Sequence, residues 1–139
     1  MTTQPITTSA TYTAGRPWLA STHGTDQTET VTVDASKLVA NTHYVASTDS
    51  TQPYSRLLSG LALGKITASG LYGPYDPAAT DGRQTLCGLV YDEALFAPGQ
   101  TRIPCALLWH GVARASKIPG GIDTTKITAS PGGAQIRFV

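Results

Sequence analysis

Large apolar side chains in this chain come in short groups, separated by polar stretches that carry glycine or proline. Residues 28–33 (TETVTV) alternate polar with β-branched side chains, the period of a strand with one buried face. Residues 34–37 turn the chain. Residues 63–92 form the central stretch, LGKITASGLYGPYDPAATDGRQTLCGLVYD. Leu63 and Ile66 flank a first extended piece. Thr67, Ala68, Ser69 and Gly70 make a turn, since Gly70 can take positive φ without steric cost. Residues 71–75 are a second extended piece, whose Pro74 argues against a central strand. Asp76-Pro77 and Asp81-Gly82 bracket a polar loop. Residues 86–91 are an apolar run of strand length, closed by Asp92-Glu93. Residues 103–112 (IPCALLWHGV) predict the strongest late strand, with Pro104 at an edge or at its start. In that strand Leu107 and Trp109 share one face, and Leu108 and His110 the other. Asp123 can cap one helical turn through Ile127. Residues 135–139 close the chain as a short alternating strand, which must be paired to be ordered. Residues 41–56 and 92–100 carry no clear period and predict irregular structure. There is no internal repeat and no heptad.

The first 27 residues are different in kind. They are rich in Thr, Ser and Ala, and too poor in large apolar groups to offset their own ordering entropy. They nevertheless hold Ile6, Tyr12, Trp18 and Leu19, anchors without a local core. That pattern suits an arm that orders on a partner; a tail without function is the alternative. The expected organisation is an arm over 1–27 and a β-rich domain over 28–139.

Composition narrows the function classes. Charged residues are 14% and the formal net charge is +1. That is well below the roughly 25% charge of an average domain, and it argues against nucleic acid as a partner. A neutral surface is also easier to bury against another protein, although a Thr- and Ser-rich soluble monomer fits the composition as well. No run of about 18 apolar residues is present, so no membrane span is expected. The N-terminus has neither the basic nor the apolar region of a secretory signal. Cys87 and Cys105 sit inside apolar runs and read as small buried side chains in a reducing compartment, with a disulfide between them as the other reading.

Catalytic machinery is not legible. His23, His43 and His110 lack metal-ligand spacing, and His110 on its strand reads as structural. The nucleophile-elbow pattern Gly-x-Ser-x-Gly does not occur. Two cysteines without a C-x-x-C pair do not make a zinc site, and Asp76 with Asp81 are ordinary turn acids. No phosphate-cradling glycine motif is present. The expectation is a protein that is not an enzyme and holds no cofactor or metal.

Three pieces of the central stretch, residues 63–67 (LGKIT), 80–82 (TDG) and 88–92 (GLVYD), occur in the order found in the head decoration proteins of tailed phages of the lambda type, which the chain resembles. Residues 106–111 and 136–139 look like that family's final strands. The resemblance covers about 28–139, and the chain departs from it in polar insertions near 41–56 and 74–80. It implies a mainly β, compact β-clip-like domain with little helix and an extended N-terminal arm. It implies a homotrimer on the outer surface of the expanded capsid at local three-fold sites, with the major capsid protein as partner. The arm, with Ile6, Tyr12, Trp18 and Leu19, would bind that partner, and the shell would be stabilised against DNA packaging pressure. The protein would be made in the host bacterial cytoplasm and end on the virion. A phage tail or baseplate accessory domain, or a host-surface binding module, is the alternative.

Overall fold

The computed structural model describes residues 16–47, 53–127 and 133–139. The fold is mainly β, and its only helical pieces among the described residues are three single 3-10 turns. Five strands close a barrel in the order β2 (Thr28–Asp34), β6 (Tyr72–Pro74), β5 (Ala62–Lys65), β7 (Gly88–Val90) and β9 (Arg102–Leu108). Two three-stranded sheets flank it. One runs β1 (Leu19–Ser21), β10 (His110–Ala113), β11 (Gln135–Phe138). The other runs β3 (Tyr44–Val45), β4 (Ser55–Leu57), β8 (Ala94–Phe96).

The period-two alternation decides where each side chain goes. On β2, Val31 and Val33 point inward. On β5, β7 and the Leu107–Leu108 end of β9 both faces are buried. Leu63, Val90 and Leu107 belong to the barrel core, while Ala62, Leu89 and Leu108 belong to a second core shared with the β1–β10–β11 sheet. Strands buried on both sides need unbroken apolar runs, which explains LAL, GLV and ALL in the sequence. Each fully buried leucine contributes about 1.5–3 kcal/mol. Leu57 and Phe96 of the β3–β4–β8 sheet join the barrel core, with Tyr44 packed edge-on to Phe96 at 5.3 Å.

Several expectations hold in place. Gly70 turns the chain at φ 74. Asp123 accepts from the Thr125 N–H and hydroxyl and starts a 3-10 turn over Thr124–Lys126. Asp34 does the same with Ser36 before Ala35–Lys37. The final strand is paired, parallel to β10. The three quoted pieces also meet in space. The Thr67 N–H donates to the Asp81 carbonyl at 2.9 Å, and β7 pairs antiparallel with β5.

Other expectations are corrected. Pro74 does not keep its strand out of the barrel: it is the last residue of β6, beyond the one pairing with β2 at Val33–Tyr72, where no partner needs its missing N–H. The run 103–112 is two strands. It leaves the barrel at Trp109, so β9 and β10 serve different sheets. Residues 41–56 and 92–100 are not wholly irregular, since they supply β3, β4 and β8. The two cysteines are free thiols. Cys105 is buried, and burial pushes its pKa up to about 11. Cys87 is only half-buried, at the rim of the barrel.

The turn before β3 carries a pH dependence. The Val39 N–H donates to Nδ1 of half-buried His43 at 2.9 Å, so this nitrogen must be unprotonated. Desolvation, and secondarily the charge of Arg83, hold its pKa below the ordinary histidine value of 6.5. The unfolded chain therefore takes the proton more readily. The stability that neutral His43 provides is complete above about pH 6.5 and is lost as the pH falls through its lowered folded value. Urea midpoints should decline from about pH 7 to about pH 5, ahead of carboxylate titration, and His43→Gln should flatten that segment of the curve.

Candidate functional site

The N-terminal edge of the domain is built around Trp18. Its side chain is 1% exposed and sits in the second core with Leu89, Leu108 and Ile118. The indole N–H donates to Ser59 Oγ at 3.0 Å, and that hydroxyl donates to the Tyr91 carbonyl at 2.9 Å. The Tyr91 ring meets the indole edge-on at 6.5 Å. Gly60 lies directly beneath the indole, where a β-carbon would collide with the ring.

The residues on either side are pinned as well. Arg16 lies 4.0 Å over the Tyr91 ring, donates from Nε to the Tyr91 carbonyl at 2.8 Å, and pairs with Asp92. Arg114 Nη1 donates to the carbonyls of Pro17 and Leu19 at 3.1 and 2.7 Å. Leu19 opens β1, antiparallel to β10.

This corrects two of the four expected anchors. Trp18 and Leu19 do not wait for a partner: Trp18 is core, and Leu19 is packed at a sheet edge. The domain therefore reaches back beyond residue 28 at least as far as Arg16, because an indole can bury about 150–250 Å² only where a core already exists. Ile6 and Tyr12 lie outside the described residues. The same pinning fixes Arg16, Pro17 and Leu19 on the domain. Beside them, β1 and β11 are the two outer strands of their sheet, and each has one edge without a partner among the described residues. The face of β3–β4–β8 turned from the core adds Val45, Arg56 and Leu95, with Leu95 52% exposed.

A concave feature lies at the barrel mouth. Each barrel strand brings one residue to it: Glu29 of β2, Tyr72 of β6, Lys65 of β5, Cys87 just before β7 and Trp109 just after β9. Gln135 of β11 completes the rim. Burial raises the Cys87 pKa, backbone and charge effects of Lys65 oppose this, and the thiol stays protonated at neutral pH. Burial likewise raises that of the Tyr72 phenol. The signal for Glu29 was present in TETVTV, where it holds the same parity as Val31 and Val33. A charge at an inward position is ordinarily read as the solvated end of a strand.

The histidines are partly brought together. His23 packs edge-on to His110 at 5.2 Å, and Trp109 stacks on His110 at 5.6 Å. No group of three or more potential metal ligands occurs among the described residues. Comparison of the chain with protein-family models, with curated proteins and with solved structures finds no match.

Proposed function

We propose that this protein is a phage head decoration protein. It binds the outer surface of the expanded capsid as a homotrimer at local three-fold sites and stabilises the shell against packaging pressure. The observation that carries this reading is the pinning of residues 16–21 beside a sheet edge that has no partner among the described residues. It gives residues 1–15, with Ile6 and Tyr12, a fixed point from which to reach the major capsid protein. The low charge and the outward Leu95 and Val45 suit a surface that is covered in an assembly. The three sequence pieces that resemble the family form one bonded unit around β5.

The mechanism is thermodynamic. A protein that binds only the assembled, expanded shell stabilises it by mass action. Three arms on one trimer raise the effective concentration of each successive contact, so modest arm affinity becomes avidity. Cyclic closure leaves no unsatisfied interface to propagate.

The test is truncation. Because Trp18 is core, the cut must stop at residue 15. A chain lacking residues 2–15 is expected to keep the melting behaviour and trimeric mass of the full chain while losing co-sedimentation with expanded shells. Full binding by the truncated chain would end the role of the arm. A full-length chain that is monomeric and ignores shells would end the decoration reading itself.

A further inference from the structure

The barrel mouth has a composition that a purely structural barrel end does not need. Going outward along the inward-facing rows, Val33 and Val31 give way to Glu29, and Leu63 gives way to Lys65. The row on β9 runs Ile103, Cys105, Leu107 and then reaches Trp109. Beyond the last core residues lies a cavity of about 370 Å³ lined by one acid, one base, two aromatic rings, the Cys87 thiol, Gly133 and Gln135.

Glu29 and Lys65 stand on β2 and β5, with β6 and its Tyr72 between them. They form no ion pair with each other or with any other described residue. Both residues are exposed, so each charge at the cavity is open to water or to a ligand.

We propose that the barrel mouth binds a small zwitterion with a flat apolar group, of the aromatic α-amino acid class. Glu29 takes the ammonium, which the faces of Trp109 and Tyr72 also favour through their quadrupoles. Lys65 takes the carboxylate, with the Gln135 amide as a further donor. The apolar group rests against the Tyr72 and Trp109 rings and the Cys87 side chain. The volume lies in the range of small-ligand sites and accommodates on the order of a dozen non-hydrogen atoms. The charge inventory selects this class. A polyphosphate requires more than one cation, a polyamine requires more than one acid, and a fatty chain gains nothing from either charge. Cys87 contributes a neutral, polarisable wall; a thiol whose pKa is raised is not a nucleophile at neutral pH.

The experiment is a titration of the full chain with L-phenylalanine, followed by amide and indole proton NMR. The Trp109 indole and the Gln135 amide should shift saturably, while the buried Trp18 indole should not move. Phenylalaninamide lacks the carboxylate and N-acetylphenylalanine lacks the ammonium. Each should bind about tenfold more weakly or worse, as should L-phenylalanine to E29Q and to K65Q. The derivatives test the charges on unaltered protein, so the result does not depend on how either variant folds. No saturable shift at Trp109, or equal affinity for L-phenylalanine and both derivatives, would overturn the proposal.

Discussion

Trp18→Ala is expected to lower the stability of the chain by about 3–5 kcal/mol, the range for removing a large buried aromatic from a core that cannot fully collapse. Several losses coincide at this position. The apolar contacts with Leu89, Leu108 and Ile118 go, and so does the edge-on contact with Tyr91. Ser59 loses the N–H that donates to it. Gly60, whose bare α-carbon exists to admit the indole, is left facing a void. Urea denaturation followed by far-UV circular dichroism measures the loss. Leu19→Ala, at a half-buried edge position, should cost clearly less. A Trp18→Ala chain within about 1 kcal/mol of the parent would mean that the N-terminal edge adds little to the core, and the domain would then start further along. The comparison also guards the truncation test. A cut that passes residue 18 would lose shell binding through unfolding, whereas a cut at residue 15 leaves this core intact.

How much of this was legible in the sequence follows from where the determining contacts lie. The strand at TETVTV was readable because its period is local and its buried face is apolar. The runs around Leu63, Leu89 and Leu107 were readable as strands, but the existence of two cores was not. An unbroken apolar run does not say which side packs on what. Trp18 was misplaced for the same reason. Its neighbours in sequence are polar, and its partners Leu89, Leu108 and Ile118 are far along the chain. Only the topology brings them beneath it. The short strands β3, β4 and β8 carry too few residues to show a period, and they are held by pairing with one another. The barrel mouth was the least legible. Its residues come from distant parts of the chain, some on strands and some beside them, and each one taken alone has an ordinary explanation.

The seam where the barrel closes should be the most sensitive place for a small substitution. Here β7 pairs with β9, with Leu89 opposite Leu108 and Val90 opposite Leu107. Gly88 stands at the start of that seam. A β-carbon there would lie 2.5 Å from the Leu108 carbonyl oxygen and 2.9 Å from Leu107 Cδ1. The first neighbour is backbone and cannot swing aside, and the second is buried in the barrel core. Gly88→Ala is therefore expected to cost about 1–3 kcal/mol, and Gly88→Val at least the upper end of that range. Hydrogen exchange should show the loss first in the amides of β7 and β9, since opening the seam frees both strands. Gly111 on β10 is the matched control. It is also buried and takes no positive φ, yet its β-carbon would come no closer than 3.4 Å to any neighbour. Gly111→Ala should be neutral, or stabilising by about 0.4–1 kcal/mol through the lower entropy of the unfolded chain. Equal losses at the two glycines would show that the cost is a general one of altering buried strand glycines. A loss confined to Gly88 would place it at the closure itself, where two backbones approach too closely for any side chain to stand between them.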